Sequence, residues 1–264
     1  MSGTVELACQ SSGTGPALVM LHGLYGSGNN WRGIARPFGA DHRTLLPDLR
    51  NHGRSPSHPD MDYRRMAADV LALLDREGID RASLVGHSMG GKVAMALALT
   101  APPRVERLMV VDIAPMAYDH SAEHGRIIRA MREVDPGTIR RREDVDSALA
   151  ESIPHAAVRQ FLLTNLQRQG EQWQWRIPLD ILADQLPVIQ GWPAGLGTFR
   201  DAPVEFIHGE VSGYVDDRGR AAIARHFPDA TIMSYAGVGH WVHAEDPERF
   251  GTDLQTFLSD KNNP

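Results

Sequence analysis

One run of the sequence, residues 83–91, constrains what this chain can fold into more than any other. It reads Ser83-Leu84-Val85-Gly86-His87-Ser88-Met89-Gly90-Gly91, and a helical pattern follows. This is G-x-S-x-G between an apolar strand and a helix, the context in which the motif marks a nucleophile on a tight, strained turn. The helix that begins there favours negative charge developing beside the serine. We therefore predict Ser88 as a nucleophile rather than an idle serine on a glycine-rich turn.

Short apolar runs alternate with helical patterns in the first part of the chain, which is typical of a parallel sheet with crossover helices. After Pro115 the pattern becomes mostly helical, although Trp173 and Trp175 suggest a short extended piece. A final helix is expected from Asp246-Pro247, a cap followed by proline at the first helical position. We predict a first core part at 1–115, a helical cap at 116–200 and a second core part at 201–264. The predicted strands are 5–10, 17–22, 43–48, 83–87, 108–112, 204–208 and 231–234.

A serine nucleophile needs a base, and the chain offers twelve histidines. His240 lies in Gly239-His240-Trp241, after the last predicted strand and before the last helix, where the base belongs if the order is serine, acid, histidine. His243 is the nearest rival but falls past the loop tip. His87 points away from the serine on the turn, and His208 ends a strand. His240 is the predicted base.

The carboxylate that should orient the base, the acid of the triad, has two possible locations. In many proteins with this motif it follows the strand after the cap, yet this chain has Ser212 at that position, with Asp216 and Asp217 further along. The other location is the end of the strand before the cap, where Asp112 stands. We favour Asp112, because a triad is defined by geometry rather than by sequence position.

Two backbone amides should stabilise an oxyanion formed at Ser88. Met89, directly after the serine, should supply one of them. The loop His22-Gly23-Leu24-Tyr25-Gly26 follows a strand and should supply the other. We predict the amide of Leu24, with Tyr25 as the second choice.

These segments together resemble the α/β-hydrolase superfamily along nearly the whole chain. Within it the chain looks most like YbfF-type esterases and their abhydrolase relatives. The resemblance implies an α/β fold with a mostly parallel, eight-stranded sheet flanked by helices, and a helical cap inserted between strands 6 and 7. It also implies esterase or thioesterase activity without a cofactor, and it supports Asp112 as the acid. The segments that carry it are 22–27, 48–55, 86–92, 111–115, 160–166 and 239–245.

Composition narrows the expected partners. The formal charge of −6 argues against a nucleic-acid partner. Cys9 is the only cysteine, which fits a reducing compartment. No signal-like or membrane-spanning run is visible at the N terminus. We expect a mature cytoplasmic protein that binds neither nucleic acid nor membrane, and its oligomeric state cannot be read from the sequence.

We expect a serine carboxylesterase or thioesterase that acts on short- to medium-chain acyl groups through an acyl-enzyme, with no cofactor and no metal. A carbon–carbon bond hydrolase or a perhydrolase would keep the same serine, and a non-catalytic binding protein on this fold is the alternative from another class. Substrate identity, stereoselectivity and ester-versus-thioester preference are not readable. Apolar residues of the cap and rim are the candidates for an acyl pocket: Tyr25, Met116, Tyr118, Phe161, Trp192 and Trp241.

Overall fold

A seven-stranded sheet organises the computed structural model, which describes residues 3–119, 121–135, 139–170 and 172–260. The strands are β1 Cys9–Ser12, β2 Ala17–Leu21, β3 Arg43–Pro47, β4 Ala82–His87, β5 Val105–Val111, β6 Leu166–Gln169, β7 Gln172–Trp175, β8 Val204–Gly209 and β9 Thr231–Tyr235. The strand order in the large sheet is β1-β3-β2-β4-β5-β8-β9, with β1 antiparallel to β3 and the other neighbours parallel. A separate hairpin pairs β6 with β7.

The expectation of eight strands is corrected to seven within the described residues. The strand predicted at 5–10 forms only as β1, at residues 9–12, because the segment before it is bound by side chains rather than by another strand. The amide of Val5 donates to Asp69 Oδ1 (2.8 Å), and the amide of Ala8 donates to Ser55 Oγ (2.9 Å). The helical insertion therefore falls between the fifth and sixth strands of the sheet, β5 and β8, and not between strands 6 and 7.

Alternate side chains of the central strands enter two different cores, as expected for a sheet covered by helices on both faces. On β2, Val19 and Leu21 join the larger core, under helices α2 (Tyr63–Arg76) and α3 (Met89–Thr100). Leu18 and Met20 join the smaller core, under helices α1 (Arg32–Phe38) and α10 (Pro247–Ser259). The helices are α1 Arg32–Phe38, α2 Tyr63–Arg76, α3 Met89–Thr100, α4 Ser121–Glu133, α5 Arg142–Leu149, α6 Ala156–Leu163, α7 Leu179–Gln190, α8 Asp217–His226, α9 Val242–Glu245 and α10 Pro247–Ser259.

Between β5 and β8 the chain forms α4 to α7 and the β6–β7 hairpin, so the predicted extended piece around Trp173 and Trp175 is a strand. Helices α4 and α7 pack together, and their apolar residues continue the larger core rather than forming a separate one. Buried Met131 and Leu182 are examples. No helix in the described ranges is long and apolar enough to cross a bilayer.

Candidate active site

The turn between β4 and α3 holds Ser88 in a backbone conformation that residues other than glycine rarely adopt, with φ 53° and ψ −118°. Glycine is needed on both sides of this turn. A Cβ on Gly86 would lie 2.4 Å from the carbonyl oxygen of Gly90, and a Cβ on Gly90 would lie 2.3 Å from that of Leu21. Such contacts forbid any larger residue at these two positions. The close approach of neighbouring backbone segments therefore keeps Ser88 in its strained conformation.

Asp112 directly follows β5, which is the neighbour of β4 in the sheet. Its carboxylate therefore lies at the same edge of the sheet as Ser88. Its side chain is completely buried, and Oδ2 is 2.6 Å from Nδ1 of His240. A carboxylate only accepts, so Nδ1 of His240 carries the proton of this hydrogen bond. The amide of Gly209 donates to the other oxygen, Oδ1, at 3.0 Å.

The predicted alternatives to Asp112 lie elsewhere. Asp216 caps α8 by accepting from the amide of Gly219 at 2.8 Å, and Asp217 is the exposed first residue of that helix. Ser212, at the position where other proteins of this type carry the acid, donates its hydroxyl to Oδ2 of Asp112. The hydroxyl therefore satisfies the same carboxylate oxygen that His240 contacts.

The loop that carries His240 is fixed by a carboxylate that sequence reasoning gave no role. Glu245 accepts from the amide of Gly239 at 2.8 Å and from the amide of Trp241 at 3.1 Å, one on each side of His240. The ring of His240 also stacks on Tyr214, with centroids 4.2 Å apart and planes at 23°. Both contacts restrict the imidazole to one orientation.

The loop after β2 brings a second set of backbone amides to the serine. Neither the Leu24 amide nor the Met89 amide makes a hydrogen bond within the part of the chain that the structure describes. The Tyr25 amide, the second choice for the oxyanion, instead donates to Nε2 of His52 at 3.1 Å. Tyr25 has a positive φ of 65°, a conformation that residues other than glycine rarely adopt.

Two buried histidines hold this loop, and their hydrogen bonds fix their tautomers. His22 donates from Nδ1 to the Gly23 carbonyl (2.8 Å) and accepts at Nε2 from the Leu49 amide (2.9 Å). His52 donates from Nδ1 to the Arg50 carbonyl at 2.9 Å and accepts from Tyr25. Burial lowers the pKa of His22 to about 4 and that of His52 to about 3, so both are neutral at pH 7.

Asn165 holds the same loop from the other side. Its Nδ2 donates to the Tyr25 carbonyl at 2.7 Å, and only 3% of Asn165 is exposed. The segments that contain His52 and Asn165 carried the family resemblance, but that likeness alone assigned neither residue a task. Their tasks depend on contacts between residues far apart in the chain, which no local pattern shows.

Ser88 and His240 line one cavity of about 840 Å³, which the core and the insertion enclose together. Four of the predicted pocket residues line it: Tyr25, Tyr118, Phe161 and Trp241. The other two, Met116 and Trp192, are not among the residues that line it. Met116 packs against the larger core, and Trp192 lies against Tyr63 and His226 with ring centroids 6.2 and 5.9 Å away.

Comparison with known proteins identifies the family of this chain. The family described as having the α/β-hydrolase fold matches residues 16–247, so the chain belongs to the α/β hydrolases, and the predicted fold class is confirmed with seven strands. Its relatives make it an esterase- and lipase-type member, a carboxylic ester hydrolase.

The sn-1-specific diacylglycerol lipase ABHD11 of Mus musculus is 40% identical over 92% of this chain and 81% of its own length. Esterase YbfF of Escherichia coli is 39% identical over 92% of this chain and 93% of its own. A solved structure described as a marine microorganism esterase matches 97% of this chain and 100% of its own, at 35% identity with a TM-score of 0.93.

Proposed function

We propose that the protein hydrolyses carboxylic esters or thioesters through an acyl-enzyme on Ser88, with His240 as the base and Asp112 as the acid of the triad. The observation that carries this proposal is the 2.6 Å hydrogen bond between His240 Nδ1 and the buried carboxylate of Asp112, beside the strained turn of Ser88. With Nδ1 committed to Asp112, Nε2 of His240 is the nitrogen that can accept a proton in the cavity.

In the proposed reaction, His240 Nε2 takes the hydroxyl proton of Ser88 as Oγ attacks the acyl carbonyl carbon. The tetrahedral intermediate collapses, the bond to the leaving oxygen or sulfur breaks, and His240 gives that atom the proton. A water then attacks the acyl-enzyme with His240 again as base, which releases the carboxylic acid and restores Ser88. Asp112 orients the imidazole and stabilises its cation throughout.

The amides of Leu24 and Met89 are the proposed oxyanion donors. Both lack a partner within the described residues and both belong to residues that line the cavity with Ser88. The Tyr25 amide is excluded from this role by its hydrogen bond to His52. Loss of one such donor costs catalysis about 10²–10³-fold in other hydrolases.

Residues 116–200 are the proposed cap. Ile127 of α4, Phe161 of α6 and Leu186 of α7 line the same cavity as Ser88, and the cavity volume leaves room for a short- to medium-chain acyl group. The two curated relatives are named for different activities, esterase and diacylglycerol lipase, so the acyl length is best found by direct measurement.

The test is hydrolysis of a chain-length series of p-nitrophenyl esters and acyl-CoA thioesters by the wild type, Ser88→Ala and a control, Ser234→Ala, which changes an exposed serine of β9. We expect turnover that Ser88→Ala abolishes and Ser234→Ala retains. Comparable rates for Ser88→Ala and the wild type would overturn the proposal.

Labelling by a fluorophosphonate separates the remaining outcomes. Labelled Ser88 with no turnover of any ester would favour carbon–carbon bond hydrolysis or a perhydrolase reaction. Failure of both labelling and turnover would favour a binding protein.

A further inference from the structure

A buried lysine lines the cavity one helical turn after the nucleophile. Lys92 is 2% exposed, and its Nζ donates to the carbonyls of Gly191 (2.8 Å) and Gln190 (3.2 Å) at the end of α7. The rings of Tyr118 and Tyr63 lie 4.9 and 5.3 Å from Nζ. The proposed mechanism does not use this cation.

No carboxylate in the described residues forms an ion pair with Lys92. Buried lysines are rarely left without an anionic partner, because moving an ammonium out of water is costly. An ammonium also has three N–H groups, and the two carbonyls accept only two of them. Burial lowers the pKa of Lys92 to about 7, as expected for a cation that lacks a counter-charge.

A second donor at the same end of the cavity also lacks a partner. Nε2 of Gln190 is buried and makes no hydrogen bond within the described residues, and Gln190 lines the cavity. Its main-chain carbonyl accepts from Lys92 Nζ, so the two residues contact each other at this end of the cavity. A buried amide without an acceptor is costly, and unused donors on two contacting residues of one cavity match a group that offers acceptors only.

The position of Lys92 relative to Ser88 suits an acyl chain. The amide of Lys92 donates to the carbonyl of Ser88 at 3.1 Å, and both residues line the cavity. Helix rise over four residues adds roughly 6 Å between them, to which the length of the lysine side chain is added. An acyl group on Ser88 with a polar terminus a few carbons away could reach Nζ.

We propose that Lys92 and Gln190 bind a carboxylate at the far end of the acyl group, so that the preferred substrates are monoesters of dicarboxylic acids. This inference rests on the proposed function, because it assigns the acyl group held on Ser88. The carboxylate would accept one hydrogen bond from Lys92 and one from Gln190.

The experiment compares methyl esters in pairs of equal length: monomethyl succinate, glutarate and adipate against the neutral methyl esters of the matching monocarboxylic acids. Methanol release gives kcat/KM for each, and the measured quantity is the ratio of the anionic to the neutral ester. We expect this ratio to reach about tenfold or more at one chain length in the wild type, as a charge-assisted hydrogen bond would give.

Two variants test the residues. Lys92→Met is expected to bring the ratio to about one or below, whatever it costs on neutral esters, since both esters of a pair lose the same cap contacts. Gln190→Glu adds a carboxylate to the cavity that Lys92 lines and is expected to abolish the preference while Lys92 remains. A wild-type ratio near one at every length would overturn the inference, as would a preference that survives in Lys92→Met.

Failure of the inference is distinct from failure of the proposed function. If neutral esters are hydrolysed in a Ser88-dependent way while no anionic ester is preferred, only the carboxylate site is wrong. Ser88→Ala provides a readout without turnover: it is expected to bind an intact monomethyl dicarboxylate by calorimetry more tightly than Ser88→Ala/Lys92→Met does. Equal affinities would count against the site.

Discussion

Asn165 Nδ2 donates a 2.7 Å hydrogen bond to the main-chain carbonyl of Tyr25, so a residue of the insertion fixes the loop that carries the proposed oxyanion amide of Leu24. The other face of the same peptide chain is held by His52 through the Tyr25 amide. The insertion thus contributes to the geometry beside Ser88 as well as to the cavity wall.

Asn165→Ala should lower kcat/KM by about tenfold and destabilise the fold by about 1–3 kcal/mol, because the buried Tyr25 carbonyl is left without its donor. The control is Thr164→Ala, which changes the exposed neighbouring residue. Steady-state kinetics and urea unfolding measure the two effects. Wild-type kinetics in Asn165→Ala would show that the loop keeps its shape without this tether.

Asp112→Asn should lower kcat by about 10³–10⁴-fold while the protein still folds, since an amide cannot hold His240 in the same tautomer or stabilise its cation. Asp217→Asn is the matched control, because Asp217 is exposed at the start of α8. If Asp217→Asn were the variant that lost activity, the acid would have been assigned to the wrong strand end.

An acid at position 212 should partly replace the one at 112. Ser212 Oγ already donates to the Asp112 oxygen that contacts His240, so a carboxylate there would reach the same space. We expect Asp112→Asn/Ser212→Asp to recover at least about tenfold in kcat over Asp112→Asn, since an acid is recognised by its geometry. Rates no higher than those of the single variant would argue against this equivalence.

The neutral state of His52 should make folding stability depend on pH. Its folded pKa of about 3 lies below the ordinary value of 6.5, so its contribution is complete above about pH 6.5 and is lost as the pH falls towards 3. The slope from this one proton is about 1.4 kcal/mol per pH unit. His52→Gln can keep both hydrogen bonds without titrating, and should flatten the dependence between pH 6 and 4 by about that amount. Identical slopes in chemical unfolding would contradict this.

The triad residues could be proposed from local sequence, because each of them follows the end of a strand. Ser88, Asp112 and His240 each follow a predicted strand, and the parallel order of the sheet brings such ends to one edge. The glycines at 86 and 90 were readable for the same reason, because the turn that needs them lies within the motif.

Contacts between residues that lie far apart in the sequence could not be predicted in this way. The apolar character of Trp192 predicts a pocket residue, but its ring packs against Tyr63 and His226, which lie far away in sequence. The first strand begins later than predicted because the side chains of Asp69 and Ser55 accept from the amides of Val5 and Ala8. Residue type predicts that a side chain is buried, and only the tertiary arrangement decides beside what.

Several histidine side chains lie near Ser88, and their protonation states limit where the proton from its hydroxyl can go. His87 donates from Nε2 to the carbonyl of His240, its ring lies 4.7 Å from that of His243, and burial lowers the pKa of both, to about 3 for His243. With His22 and His52 also neutral, none of these neighbours competes for the hydrogen that leaves Ser88. Among the described residues, these four imidazoles are therefore poor acceptors for the proton that His240 takes up, and we expect that proton to pass to the departing group of the substrate.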